Sequence, residues 1–173
     1  MSRKVLLTIA LLAACLACSC SWGYGRLIIY DDGPTKADAR LEQILEALEN
    51  EDRDALREMF SKNARDEASD FDESMDCLFK YFTGNIESWE RTGSGGSTSS
   101  HLGDRSVLQR SYYNVATDEA EYRFFTVEYL ENTIEPDSLG LYTLRVISAK
   151  DEAKQSANSR NMNKAGICIP EYK

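Results

Sequence analysis

Few side chains in this sequence are placed to do chemistry. The sole histidine, His101, closes a run of small residues, TGSGGSTSS at 92–100. A general base must be held within hydrogen-bond reach of the proton it takes, and a flexible run does not hold one. Glu128 is the better placed acid. It lies in YRFFTVEYL (122–130), a strand-like aromatic segment, where burial would raise a carboxyl's pKa and turn it into a base. Tyr113, Tyr122, Phe124, Tyr129 and Tyr142 could line a pocket that offers apolar contact together with hydroxyls. Alternation along the strands does not say which face would do so. Cys77 and Cys168 are the only cysteines in the body of the chain, and an oxidising compartment would permit a disulfide between them. A structural metal site wants about four Cys or His ligands at recognisable spacing. These residues do not supply it, so neither a metal nor another cofactor is expected. No nucleophile elbow, glycine-rich phosphate loop or Cys-x-x-Cys pair occurs in the body.

The other reactive cysteines belong to a leader. Ser2-Arg3-Lys4 is a basic start, and Val5 to Ala14 is apolar apart from Thr8. That stretch is too short to remain as a span but suits the core of an export signal. Leu12-Ala13-Ala14-Cys15 resembles the lipobox of bacterial lipoproteins, in which the cysteine at the cut becomes the N-terminus and carries a lipid thioether. Cys15 is the expected site, with Cys18 and Cys20 as alternatives. The expected layout is a signal peptide at 1–14, a lipidated N-terminus and tether at 15–34, and a single domain at 35–173. The domain would then sit at the outer face of the bacterial cytoplasmic membrane, with the membrane as its first partner.

Hydrophobic spacing supplies the elements. Ala37, Leu41, Ile44, Leu45 and Leu48 predict a helix over 35–49 that Thr35 or Asp38 can cap. Ala55, Leu56, Met59 and Phe60 predict another over 51–60, with Asp52 or Asp54 near its start and Ser61-Lys62-Asn63 closing it. Phe71, Met75, Leu78, Phe79 and Phe82 predict a third over 70–83, with Asp70 and Glu73 in a capping-box pattern. Ile86 to Arg91 reads as a strand, followed by a flexible loop through Ser100. Strands are predicted at 106–117, 122–131 and 140–149. In the second, Phe125, Val127 and Tyr129 share one face, and Phe124, Glu128 and Leu130 the other. In the third, Tyr142, Leu144 and Val146 oppose Leu141, Thr143 and Ile147. A short helix falls across 155–165, and Ile167 and Ile169 pin the tail. Helices first and antiparallel strands after make an α+β layer arrangement.

The formal net charge is −9. A chain this acidic repels phosphate backbones and anionic lipid heads, which argues against nucleic-acid binding.

The leader cysteines, ALENEDRDALREMFS (Ala47–Ser61), FDESMDCLFKYFTGNIESWE (Phe71–Glu90), GLYTLRVISA (Gly140–Ala149) and MNKAGICIPE (Met162–Glu171) resemble DUF5104, a family of uncharacterised lipoproteins from gut Firmicutes. The resemblance covers about residues 25–173. It implies an NTF2-like fold, in which N-terminal helices pack on a strongly curved, mainly antiparallel sheet to form a cone with an internal cavity. It implies no reaction. Three roles stay open: a membrane-anchored, non-catalytic domain that binds a small molecule or a surface protein; an isomerase or hydrolase acting on a small molecule; and a structural or interaction module of an envelope assembly.

Overall fold

The structure, a computed structural model, describes residues 32–155 and 164–170. Chain contacts group Asp32–Lys173 as one unit, apart from Met1–Asp31. The leader, its three cysteines and the tether through Asp31 lie outside the described residues.

Helix α1 (Gly33–Glu49) buries Ala37, Leu41, Ile44, Leu45 and Leu48, the predicted stripe, together with Ala47. Its N-cap is Asp32, with Pro34 just inside, rather than Thr35 or Asp38. Pro34 has no N–H to leave unsatisfied there. Asp38 turns instead to Arg91 (2.7 Å) and to the Tyr113 hydroxyl, which donates to it at 3.2 Å. Helix α2 (Arg53–Met59) starts as expected at Asp52, whose carboxylate accepts the Ala55 N–H.

A further helix, α3 (Lys62–Glu67), occupies the stretch expected to end α2. Ser61 caps it by accepting the Ala64 N–H. Only Ala64 of its residues is buried, so it carries no apolar stripe to read. Helix α4 (Phe71–Tyr81) buries Phe71, Met75 and Leu78. The Asp70–Glu73 capping box is not formed, because Asp70 makes no side-chain cap bond and takes the Lys164 ammonium at 3.2 Å instead. Arg53 and Arg57 of α2 lie over the Phe79 and Phe71 rings while pairing with Asp76 and Asp72, which fastens α2 along α4.

The strands are β1 (Ile86–His101), β2 (Asp104–Thr117), β3 (Glu121–Asn132), β4 (Gly140–Ser148) and β5 (Gly166–Cys168), in spatial order β1-β2-β3-β4-β5. The first four are antiparallel, and β5 runs parallel to β4. A 3-10 turn, Pro136–Ser138, lies between β3 and β4, and α5 (Ala149–Gln155) follows β4. This helix lies before the one predicted across 155–165 and meets it only at Gln155. Ser148 starts it: its amide donates to the Tyr81 hydroxyl and its own hydroxyl donates to Asp151. Residues 156–163, most of the predicted helix, lie outside the described residues, and Lys164 and Ala165 are not helical.

Two expectations fail in the sheet. The flexible loop at 92–100 is strand, paired residue by residue with β2 from Gly93↔Tyr112 to His101↔Asp104. Its composition buries little, so the ladder to β2 orders it rather than any burial of its own. The NTF2-like cone is not formed either. β1 and β5 are separate outer strands of an open sheet, which is neither closed nor curled. The face that would line a cavity is filled: Tyr113, Val115, Phe124, Leu144 and Val146 lie at 0–1 % exposure in one cluster with Leu41, Ile44 and Leu78 from the helices. What stands is an α+β fold with a mixed, mostly antiparallel sheet.

A register shift between Val127 and Glu128 sets Glu128 opposite Leu141 and passes over Tyr142. Leu141 therefore joins Leu144 and Val146 in the core, against the simple alternation predicted for β4. Gly140 begins β4 at φ +111°, and a Cβ there would meet the Met59 carbonyl oxygen at 2.9 Å. This close approach lets the Ser61 amide reach the Leu141 carbonyl (2.9 Å) and ties the α2–α3 junction to β4.

Candidate functional site

On α1, Arg40 stands three residues after Ala37 and four before Ile44. It is therefore placed within the buried stripe, not on the solvated side. Alternation along β3 puts Glu128 on the same helix-facing side of the sheet as Phe124, and the shift past Tyr142 sets it opposite Leu141. The two side chains meet 88 positions apart in sequence. Arg40 Nε donates to Glu128 Oε1 at 2.9 Å, and Arg40 Nη2 reaches the same oxygen at 2.8 Å. Arg40 Nη1 donates to Gln43 Oε1 at 2.8 Å. The Glu128 side chain is 7 % exposed and that of Arg40 26 %.

The second carboxylate oxygen is the distinctive atom. Glu128 Oε2 accepts no hydrogen bond from the described residues. Among those residues no polar side-chain atom is both enclosed and unpartnered. Oε2 therefore opens onto the groove that Glu128 lines. That groove, about 460 Å³, runs between α1 and the start of β4, with Arg40, Gln43 and Lys36 on one side and Tyr129, Leu130 and Leu139 on the other. Glu58 and Met59 form its end and lead into an adjoining hollow of about 450 Å³ that reaches Asn50, Asp52 and Ala55. Burial raises the Glu128 carboxyl above its ordinary range, and the Arg40 guanidinium draws it part of the way back. The arrangement fixes a carboxylate by one oxygen and leaves the other facing the groove, with apolar surface from Met59, Leu130 and Leu139 beside it.

The predicted pocket residues divide. Tyr129 lines the groove. Tyr142 stands edge-on to it at 6.4 Å between ring centres, and its hydroxyl donates to Glu67 at 2.6 Å. That hydrogen bond, with burial and the Glu67 charge, pushes the Tyr142 phenol up to about 12. Tyr113, Tyr122 and Phe124 are core instead, at 1–2 % exposure. Burial pushes the Tyr113 phenol up to about 12, while Tyr122 donates to the Tyr81 carbonyl and accepts the Thr83 amide.

His101 is exposed at the far end of β1. Gly96, Gln109 and Glu128 share one rung of the sheet, so His101 lies about 17 Å along the strand from it and two strands away. Cys77 and Cys168 are each a free, half-buried thiol in this structure, and burial raises that of Cys168. Among the described residues no group of three or more His, Cys, Asp or Glu is placed to hold a metal ion. None of their helices is long and apolar enough to cross a membrane.

Glu128 and Tyr129 are legible in the sequence as site candidates, whereas Arg40 and Gln43 emerge from the structure. The signal for Arg40 was present, as a cation set inside an apolar helical stripe.

The family described as a domain of unknown function, DUF5104, matches residues 43–149. The chain belongs to the DUF5104 family. The DUF5104 match takes in Gln43, Glu58, Met59, Glu128 and Tyr129 of the groove and begins just after Arg40. No curated protein matches the chain.

Proposed function

We propose that this DUF5104 chain is a lipid-anchored, extracytoplasmic binding domain whose groove takes a small ligand bearing hydrogen-bond donors. The anchor would be Cys15, with Cys18 or Cys20 as alternatives, and the setting the outer face of the bacterial cytoplasmic membrane. The leader supports that part: a basic start, an apolar run too short to span and small residues before a cysteine. The binding part rests on one observation, the Oε2 of a buried Glu128, which accepts no hydrogen bond from the described residues and faces the groove. An ammonium or hydroxyl of the ligand would donate to Oε2, and an apolar flank would lie on Met59, Leu130 and Leu139. Pockets of a few hundred Å³ with a few convergent polar groups are the usual form of small-molecule sites.

Thermal-shift screening of the full chain with small amines, amino sugars and polyols tests the binding part. The reading expects stabilisation by at least one such compound and its loss in Glu128→Gln. Unchanged binding in Glu128→Gln would remove Oε2 from the site. Intact-mass measurement of the membrane fraction tests the anchor separately, and a full-length, lipid-free chain would defeat it.

One observation favours a second reading, in which Glu128 is the general base of an isomerase or hydrolase. Its carboxyl, raised by burial, is a stronger base than an ordinary glutamate. The neighbours are less suited. Arg40 holds its partner oxygen, Lys36 pairs with Asp32 at 2.9 Å, and His101 is remote. Turnover of a bound compound that Glu128→Gln abolishes, with binding retained, would move the assignment to catalysis.

A further inference from the structure

The two outer strands of the sheet are built differently. β5 has three residues, so it leaves little backbone unpaired. β1 has sixteen, and among the described residues nothing pairs with its outer side. Proteins guard such edges with charge, proline or bulges. β1 does so only in its first part. Glu87, Glu90 and Arg91 are charged, and register shifts fall at Ile86/Ser88 and Arg91/Gly93. From Gly93 to His101 the register with β2 is unbroken. No Lys, Arg, Asp, Glu or Pro occurs there, and Ser94 to His101 are all exposed.

The surroundings narrow the occupant. A foreign peptide added to a sheet edge gains specificity from pockets for its alternate side chains. None flanks this segment: a Cβ on Gly95 would have nothing within 4 Å, and the neighbouring residues of β1 are open to solvent. A second copy needs no pocket. Turned antiparallel about an axis at Ser97, the segment sets Gly95 against Ser99, Ser94 against Ser100 and Gly93 against His101. Every opposed pair includes a small residue, and no like charges meet. The chain's net charge of −9 repels copies over the rest of the surface, but not along this line.

We propose that β1 strands of two copies pair antiparallel, centred on Ser97, and join two sheets into one. The paired segment is about 30 Å long. It buries on the order of 600 Å², short of the roughly 1,000 Å² of a stable interface, so association is weak and concentration-dependent.

Oxidative cross-linking of the full chain in membranes tests this. Ser97→Cys should form a disulfide-linked homodimer at least tenfold faster than Glu119→Cys, an exposed position in the turn at the other end of β2. The chain without added cysteine reports the background from its native thiols. Adding Gly95→Lys and Ser99→Lys to Ser97→Cys sets like charges face to face and should abolish the excess, with the melting temperature as a check on folding. Equal rates at positions 97 and 119, an excess that survives the lysines, or a Ser97→Cys adduct of a different mass would each overturn the proposal, the last in favour of a foreign strand.

Discussion

The helix-facing side of the sheet carries two floors on the same strands. Near the β2–β3 turn lie Tyr113, Val115, Tyr122, Phe124 and Val146. A few residues along the same strands lie Gln109, Ser111, Thr126 and Glu128. All nine are at most 5 % exposed. Burial is equal and the chemistry is opposite. The first floor is held by packing, with Phe82 set against the Tyr122 and Phe124 rings at 4.7 and 5.8 Å. The second carries polar contacts. Gln109 Nε2 reaches the Ser94 and Ser111 hydroxyls, both at 3.3 Å, and Glu128 is met by Arg40. A polar floor costs desolvation that an apolar one of the same volume would not. Stability alone does not explain it, and the groove begins where it does. With the proposed function, the contrast gives folding to one end of the strands and recognition to the other.

The packed floor should yield the largest effect. Phe124→Ala is expected to cost about 3–5 kcal/mol, as for a fully buried ring, read from the urea midpoint at neutral pH. A loss below about 1.5 kcal/mol would mean that this end of the sheet is not the structural one.

Arg40→Met comes next, because it removes the partner of a buried carboxylate while keeping the methylene contacts. The expected loss at neutral pH is about 2 kcal/mol, less than for a fully enclosed pair because water reaches both Arg40 and Oε2. The loss should shrink on acidification. The folded-state pKa of Glu128 lies above its ordinary value of 4.5, with burial the main cause. Between those two values the folded chain binds more protons than the unfolded one. The contribution of Glu128 to stability is therefore complete below about 4.5 and is lost as pH rises through the folded value. Glu128→Gln removes that slope from the wild-type profile. Denaturant midpoints across this range check both statements. An Arg40→Met penalty independent of pH would show that the carboxylate does not set it.

Much of the structural floor was legible before the structure. The stripes of α1, α2 and α4 and the cores of β2, β3 and β4 follow from spacing, because their apolar residues recur with the period of the element they form. α3 had no such record, since it buries one alanine. The Gly93–His101 part of β1 read as loop because its order comes from hydrogen bonds to β2, which composition does not reveal. The shape of the sheet was inferred from family resemblance, and the packing of Leu41, Ile44 and Leu78 onto Tyr113, Phe124 and Val146 leaves no room for a cone. The recognition floor was half legible. Glu128 stood out as an acid among aromatics, but its partner is a helix away, and the shift that turns it beside Leu141 depends on strand register rather than on strand sequence.

The smallest effect belongs to a region that serves neither floor. Leu102 and Gly103 join β1 to β2, both at positive φ, 51° and 97°. Two positive φ values at the centre of a two-residue hairpin form the turn that Asn-Gly favours, because it matches the twist of the strands. Leucine pays a steric cost in that conformation. Its side chain is 93 % exposed, so burial does not offset the cost. Leu102→Asn should therefore stabilise the chain by about 0.5–1 kcal/mol, a rise of roughly 1–4 °C in Tm. Binding at the groove should not change, since the tip lies about 20 Å along the strand from Glu128. A drop in Tm, or a change in ligand affinity, would show that the Leu102 side chain does work for one of the two floors and would erase the boundary drawn between them and the tip.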